Sequence, residues 1–273
     1  MRFNFVIAAH PFGRLTAQFL CPLHLELFAK PLPGLFSPGR EAWGPQPFVM
    51  SPPLSIQAVI FDLDGLLIDS EPIYRSAWQA AAAASGCELS DDLYLNLVGL
   101  SDRDSEEVLA RAFGPDLPLA KFRELWPAAW RRQVGLFGIP PKPGLEDLLR
   151  LIEGRRLPTA VATSSSAEQA RLSLHAAGLS GRFSCLVTGD RVPHGKPAPD
   201  IFLEAARQLG FPPQHCLVLE DSEAGVFAAA AAGMPVLLIP DLKPPSGRAA
   251  ALACRVFPSL KEAAEFVERT FNE

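Results

Sequence analysis

Short apolar runs bounded by turn residues recur along the chain and predict the strands of a buried sheet. A run of four to six apolar residues between turn signals is typical of a strand that is covered on both faces, as in a parallel sheet. The predicted strands are residues 56–61, 157–162, 216–219 and 236–239, with a short edge strand at 253–257.

Helical periodicity fills the segments between these runs. Helices are predicted from Ala167, over 201–209 and 223–232, and from Ser259 to the C-terminal part of the chain. The alternation of strands and helices predicts an α/β fold, a doubly wound parallel sheet with helices on both faces. Residues 73–141 differ, because they show helical periodicity without a strand and therefore predict an inserted all-α domain.

Two carboxylates follow the first predicted strand in the sequence Asp62-Leu63-Asp64-Gly65. Residues spaced by two in an extended segment point to the same side, and the carboxyl ends of parallel strands border the ligand crevice of open α/β sheets. Neighbouring carboxylates repel unless a cation lies between them. The pair therefore indicates a divalent metal, or one nucleophilic and one proton-carrying Asp, or both. Taken alone, the motif is also compatible with a solvated turn.

Three further polar motifs lie at later strand ends or before a helix. Thr163 and Ser164 open a strand-to-helix turn suited to an anion, although Thr163 taken alone is more typical of a helix cap. Lys196, between Gly195 and Pro197, precedes a predicted helix, where a single Lys is usually solvated. The adjacent acids Glu220 and Asp221 end the strand 216–219 and are unfavourable neighbours without a cation.

The ordered set of these motifs resembles the haloacid dehalogenase-like hydrolase superfamily. The resemblance covers Ile56 to Val267, and the run Gly195-Lys196-Pro197-Ala198-Pro199-Asp200 is a close match. The set is far more specific than any one of its members. It implies a Rossmann-like core with an inserted helical cap.

The resemblance also implies roles for the residues. Asp62 would be the nucleophile that accepts a phosphoryl group, and Asp64 the general acid and base. Thr163, Ser164 and Lys196 would bind the phosphate of the substrate. Mg²⁺ would be the cofactor. Its ligands would be Asp62, the backbone carbonyl of Asp64, and Asp221, with Glu220 supporting this set directly or through water.

Within the superfamily, the cap and core resemble the beta-phosphoglucomutase-like branch. Glu71, in Asp69-Ser70-Glu71-Pro72, and Gly99 and Ser101, in Gly99-Leu100-Ser101, follow its pattern and are candidate substrate residues of the cap. The mutase itself has a His and an Arg where this chain has Tyr74 and Asp102. Arg103, one position along, is a candidate replacement for that Arg.

These differences favour release of phosphate to water over its return to the sugar. The resemblance thus predicts a Mg²⁺-dependent phosphatase that acts on a small phosphorylated metabolite, plausibly a sugar phosphate, through an aspartyl-phosphate. A phosphosugar mutase is the first alternative, and a non-catalytic binding or regulatory module is the second. A halide-releasing hydrolase is disfavoured by Asp64, for which that chemistry has little use.

Composition limits the partners and the compartment. A net charge of −5 argues against nucleic acid, and no apolar run is long enough to span a membrane. The five cysteines are far apart and odd in number, which predicts reduced thiols and a cytoplasmic protein.

The predicted domains follow from these patterns. Residues 55–72 and 142–273 form the catalytic core, and 73–141 form the cap. Residues 1–54 match nothing in the family and lack periodicity. They are interpreted as a disordered tail or, as we favour, a mis-assigned start with Met50 as the true first residue. An organellar transit peptide is disfavoured by its acidic residues and few Arg or Ser.

Overall fold

The computed structural model describes residues 55–98, 100, 102–114 and 117–270. The interpretations of the N-terminal extension and of Met50, and the candidate residues Gly99 and Ser101, therefore lie outside the described residues.

The described residues form a sheet of six parallel strands in the order β3-β2-β1-β4-β5-β6. The strands are β1 (Ala58–Phe61), β2 (Thr159–Thr163), β3 (Cys185–Thr188), β4 (Cys216–Glu220), β5 (Val236–Leu238) and β6 (Arg255–Val256). Phe61 pairs with Val161 of β2 and with Leu219 of β4. This register brings the polar residues that follow β1, β2 and β4 to the same edge of the sheet. The predicted α/β class is confirmed.

Strand β3 is absent from the sequence prediction. It is an edge strand in which only Val187 and Thr188 are buried, and Cys185 and Leu186 are half-buried. Because Ser184 and Thr188 limit its apolar run to the three residues Cys185 to Val187, the segment lacks the longer pattern on which the other strands were recognised.

Helices cover both faces of the sheet, and alternate residues of each strand enter different clusters. Val59 and Phe61 pack in one apolar cluster, whereas Ala58 and Ile60 pack in another on the opposite face. The core helices are α5 (Leu145–Gly154), α6 (Ala167–Ala176), α7 (Asp200–Leu209), α8 (Glu223–Ala231), α9 (Gly247–Leu252) and α10 (Leu260–Thr270). Both faces are therefore buried, which explains the near-continuous apolar runs of the sequence.

Among the described residues, four helices lie between β1 and α5: α1 (Glu71–Ala84), α2 (Asp91–Leu95), α3 (Asp102–Phe113) and α4 (Leu119–Phe137). Trp78 of α1 packs against Phe122 and Trp126 of α4, with ring centroids 5.4 Å apart in both pairs. Phe122 and Trp126 of α4 thus belong to the core of this helical region. Helix α1 begins at Glu71, two residues before the predicted domain boundary, and that boundary remains a prediction.

The chain leaves and re-enters the core at adjacent points. Ile68 forms an antiparallel bridge with Pro141, and the Asp69 N–H donates to the Pro140 carbonyl at 2.9 Å. Lys142 donates to Asp241 at 2.6 Å and to Asp69 at 3.4 Å. The two linkers of the helical segment are therefore held side by side. Across residues 55–98, 100, 102–114 and 117–270, every helix is too short or too polar to cross a lipid bilayer.

Candidate active site

A cavity lies at the carboxyl ends of β1, β2 and β4, beneath the helical segment. Six predicted site residues of the catalytic core line it: Asp62, Asp64, Thr163, Ser164, Lys196 and Asp221. These residues come from four separate parts of the chain, and the parallel register of the sheet brings them together.

Lys196 links the carboxylates of Asp62 and Glu220 at the base of the cavity. Its ammonium donates to Asp62 Oδ1 and, at 2.5 Å, to Glu220 Oε1, and the residue is 3% exposed. Burial raises the pKa of Asp62 to about 8, although Lys196 opposes this rise, and Glu220 adds to it. The two acids together raise the pKa of Lys196 above its ordinary value against the effect of its burial. Lys196 is therefore a fixed cation, not a solvated surface residue.

Glu220 occupies a different place from the one expected for a metal-supporting residue. It is fully buried, and its second oxygen accepts from the N–H and hydroxyl of Ser222, both at 2.9 Å. Both oxygens of the carboxylate thus have protein donors, and Glu220 is absent from the cavity lining. A Cβ on Gly225 would stand 1.7 Å from Glu220 Oε1, so only glycine fits beside this carboxylate. The geometry makes Glu220 a partner of Lys196.

Three hydroxyl groups hold the carboxylate of Asp64. Ser70 donates to Oδ1 at 2.7 Å, and Ser165 and Thr163 donate to Oδ2 at 2.7 and 3.2 Å. Sequence reasoning missed Ser70 and Ser165 as site residues. Ser165 adjoins the predicted Thr163-Ser164 pair and Ser70 lies in the first linker, but their spacing from Asp64 in the chain carries no signal of contact.

The hydroxyl groups of the turn between β2 and α6 serve two functions, helix capping and contact with Asp64. Ser166 is the N-cap of α6, and it forms a capping box with Gln169. Thr163 is not a cap, because its hydroxyl instead accepts from the Ser165 N–H at 3.1 Å and donates to Asp64. Ser164 lines the cavity beside them.

Asp221 enters the cavity next to a glycine. A Cβ on Gly65 would lie 2.4 Å from Asp221 Oδ2, and Gly65 also has a φ of +86°. Burial, with Glu220 and Asp62 nearby, raises the pKa of Asp221 well above its ordinary value. Asp62 is buried and Asp221 is half-buried, and two such carboxylates, whose negative charge is disfavoured, are the ligands that a hard divalent cation would stabilise.

The described residues contain no group of three His, Cys, Asp or Glu side chains gathered closely enough to hold a metal ion. The donor set expected from the sequence needs only two side-chain carboxylates, those of Asp62 and Asp221. The Asp64 carbonyl and water would supply the other oxygens, as Mg²⁺ commonly requires. The residues present therefore fit a Mg²⁺ ion.

The helical segment contributes a second wall to the cavity. Glu71 is 8% exposed, and its Oε2 accepts from the Tyr94 hydroxyl at 2.8 Å. Burial raises the pKa of Glu71 to about 7, while the Tyr94 hydrogen bond and Lys142 oppose the rise and Asp64 and Asp241 add to it.

Tyr74 and Leu100 also line this wall, and the Tyr74 hydroxyl lies 3.3 Å from that of Ser165. Tyr74 stacks on Trp130, which is buried within the helical segment.

Arg103, a candidate substrate residue, and Arg131 both lie away from the cavity. The Arg103 side chain is 88% exposed and lies 4.0 Å from Glu107. Arg131 pairs with Glu168 of α6 at 3.0 Å. Neither lines the cavity. The suggestion that Arg103 replaces the mutase Arg is therefore not supported by its position, because a helical neighbour and solvent already surround it.

Comparison with known proteins agrees with this geometry. Residues 56–233 match the family described as haloacid dehalogenase-like hydrolase. Phosphorylated carbohydrates phosphatase of Thermotoga maritima is 32% identical over 179 residues, covering 66% of this chain and 82% of the relative. Fructose-1-phosphate phosphatase YqaB of Escherichia coli (strain K12) is 37% identical over 177 residues, covering 64% and 92%.

The fold is similar to that of solved structures in the same group. The crystal structure of CbbY from Rhodobacter sphaeroides in complex with phosphate has a TM-score of 0.66 to this chain. The two are 28% identical, and the match covers 76% of this chain and 96% of CbbY.

Proposed function

The chain belongs to the haloacid dehalogenase-like hydrolase family, and we propose that it is a Mg²⁺-dependent phosphomonoesterase that acts on a small sugar phosphate. The family resemblance predicted from the sequence is confirmed. The observation that carries the proposal is the meeting of Asp62, Asp64 and Lys196 in one cavity. The phosphatases among the relatives support the same reaction class.

Asp62 is the nucleophile in the proposed reaction. Its carboxylate oxygen attacks the phosphorus atom, the bond to the sugar oxygen breaks, and an aspartyl-phosphate forms. Lys196 and Glu220 hold this carboxylate in place at the base of the cavity. Lys196, Thr163 and Ser164 provide donors for the phosphoryl oxygens, and buried donors of this kind stabilise the charge that develops during transfer.

Asp64 transfers the protons. It donates a proton to the departing sugar oxygen and later takes one from the water that attacks the aspartyl-phosphate. The three hydroxyls on Asp64 orient its carboxylate for both steps. A Mg²⁺ ion held by Asp62, Asp221 and the Asp64 carbonyl would neutralise phosphoryl charge when bound.

The residues at the cavity favour hydrolysis over the mutase reaction. Tyr74 stands where the mutase has a His, and Arg103 points into solvent. Cationic residues that would retain a phosphorylated intermediate are thus missing from the described lining. Phosphate therefore passes to water in the proposed reaction.

Release of inorganic phosphate from p-nitrophenyl phosphate and from a panel of sugar phosphates tests the proposal. Hydrolysis should require Mg²⁺, and Asp62→Asn should lower kcat by a factor on the order of 10⁴. Asp147→Asn, which removes an exposed carboxylate of α5, is the matched control. Full activity of Asp62→Asn would rule out the covalent mechanism. Accumulation of an isomeric sugar phosphate in place of free phosphate would indicate the mutase.

The proposed partner is the small metabolite alone, and the proposed location is the cytoplasm. Four described cysteines, Cys87, Cys185, Cys216 and Cys254, are free thiols. Burial raises the pKa of Cys216 to about 11, which makes it an unreactive core residue.

A further inference from the structure

We propose that this enzyme selects phosphate esters whose leaving group is uncharged and hydroxylated, and that Glu71 is the residue that enforces the choice. This inference rests on the proposed phosphatase function and specifies its substrate class. Glu71 would accept a hydrogen bond from a hydroxyl of the leaving group and would repel a second phosphate or a carboxylate.

The charges around the cavity are predominantly negative. The acidic residues of its described lining are Asp62, Asp64, Glu71 and Asp221. Lys196 is the one basic residue in that lining. Asp62 and Glu220 accept from two of its three N–H groups, and the proposed reaction gives the third to the transferred phosphoryl group. A second anionic group would therefore enter without a cation to receive it.

Cations close to the cavity in the described part of the chain are engaged elsewhere. Arg103 is exposed beside Glu107, and Arg131 pairs with Glu168. Lys142 donates to Asp241 and Asp69. None of the three contributes to the lining. Recognition of a phosphate or carboxylate normally uses such a residue, most often Arg.

The wall formed by the helical segment suits a polyol. Its polar groups are the Glu71 carboxylate and the hydroxyls of Tyr74, Tyr94 and Ser105. Leu97, Val98, Leu100 and the Trp78 ring supply the apolar remainder. Hydroxyls and a carboxylate exchange hydrogen bonds with sugar hydroxyls, and apolar surfaces accept the C–H faces of a sugar.

Glu71 is the member of this wall that carries charge. It is the first residue of α1, and Tyr94 fixes one of its oxygens at 2.8 Å. Both residues are buried, so the carboxylate cannot turn into bulk water to avoid an anion. Because like charges brought together in a binding site cost much of the affinity, Glu71 is placed to discriminate by repulsion as well as by hydrogen bonding.

Steady-state kinetics with three esters tests the inference. The substrates are fructose 1-phosphate, fructose 1,6-bisphosphate and phosphoglycolate, assayed at pH 8, where Glu71 is ionised. The wild-type kcat/KM should be at least roughly tenfold higher for fructose 1-phosphate than for the two esters with a second anion. Glu71→Gln keeps the shape of the side chain and the Tyr94 contact. It should reduce the ratio of kcat/KM for fructose 1-phosphate to kcat/KM for the anionic esters about tenfold.

Two control variants isolate the charge of Glu71. Glu107→Gln removes an exposed carboxylate of α3, and it should leave the substrate ratio unchanged. Tyr94→Phe removes the hydrogen bond and thereby raises the pKa of Glu71, so this variant is assayed well above pH 8, where the carboxylate remains ionised. Under that condition it should retain discrimination against both anionic esters.

The outcomes separate the two proposals. Wild-type preference for the bisphosphate or phosphoglycolate would overturn the specificity inference and leave the phosphatase proposal intact. An unchanged ratio in folded Glu71→Gln would overturn the role of Glu71. Failure of the wild type to hydrolyse any ester, p-nitrophenyl phosphate included, would instead overturn the phosphatase proposal itself.

Discussion

Lys196 Nζ lies 2.5 Å from Glu220 Oε1, and this buried ion pair holds the ammonium against Asp62. Glu220 thereby acts on the nucleophile through Lys196. Its own position is held by Ser222 and by the close approach of Gly225. The sequence predicted that Glu220 supports the metal site. The contact with Lys196 indicates instead that Glu220 positions the nucleophile.

Glu220→Gln should lower kcat roughly tenfold or more while leaving the Mg²⁺ affinity close to that of the wild type. Replacing one charged member of a buried ion pair leaves the other member incompletely compensated and displaced. Calorimetric titration of Mg²⁺ beside steady-state kinetics measures both quantities. A large loss of Mg²⁺ affinity at unchanged kcat would show that Glu220 supports the metal site and does not position Asp62.

Ser165→Ala should lower kcat by roughly tenfold, part of the factor of about 10²–10⁴ that general acid–base catalysis supplies. The variant removes the 2.7 Å donor to Asp64 Oδ2, so the carboxylate loses part of its orientation. Ser166→Ala is the adjacent control, because Ser166 caps α6. It should cost about 1 kcal/mol of unfolding free energy with kcat near wild type. Equal kcat for the two variants would contradict the role of Ser165.

Glu71→Gln should stabilise the Mg²⁺-free protein at high pH. The folded state raises the pKa of Glu71 from 4.5 to about 7, so the folded protein retains this proton more strongly than the unfolded chain. The carboxylate therefore destabilises the fold progressively as pH rises through 4.5, and the loss is complete above pH 7. At pH 8 the free energy of unfolding of the variant should exceed that of the wild type by on the order of 3 kcal/mol, and near pH 4 the two should be equal.

Denaturant unfolding at pH 4 and pH 8 measures this difference. Tyr94→Phe should act in the opposite sense, because it removes the hydrogen bond that lowers the Glu71 pKa. A stabilisation of Glu71→Gln that is equal at both pH values would show that the charge of Glu71 is not its cause.

Gly225→Ala should destabilise the fold and abolish most activity. The added Cβ would stand 1.7 Å from Glu220 Oε1, so either α8 or the carboxylate must move. Gly154→Ala provides a matched helical glycine, since a Cβ there meets nothing within 4 Å. That control should unfold at or slightly above the wild-type temperature, because Ala is a better helix former. Thermal unfolding and phosphate release together check the contrast.

Mg²⁺ should raise the melting temperature more at pH 8 than at pH 6. Burial raises the pKa of Asp62 to about 8 and raises that of Asp221, so a metal that binds both carboxylates must displace protons at lower pH. Asp221→Asn should remove most of this shift, whereas the surface variant Asp147→Asn should keep it. Differential scanning fluorimetry measures the melting temperature with added Mg²⁺ and with about 5 mM EDTA, which removes free metal.

Part of the site could be predicted because each motif is local in sequence. Asp62, Asp64 and Asp221 directly follow or end apolar runs, and that pattern places them at strand ends. Ser70 and Ser165 could not be assigned in the same way, because a serine beside a motif is usually a turn or a cap. Only folding brings their hydroxyls to Asp64.

The order of apolar runs and polar turns by itself determined the α/β class, the strands β1, β2, β4 and β5, and the inserted helical segment, since these depend on periodicity within short windows. Tertiary structure alone decided that Glu220 faces Lys196, that Arg103 faces solvent, and that Glu71 meets Tyr94. Such contacts join residues far apart in the chain, and their geometry depends on strand register and helix packing, which a linear pattern does not specify.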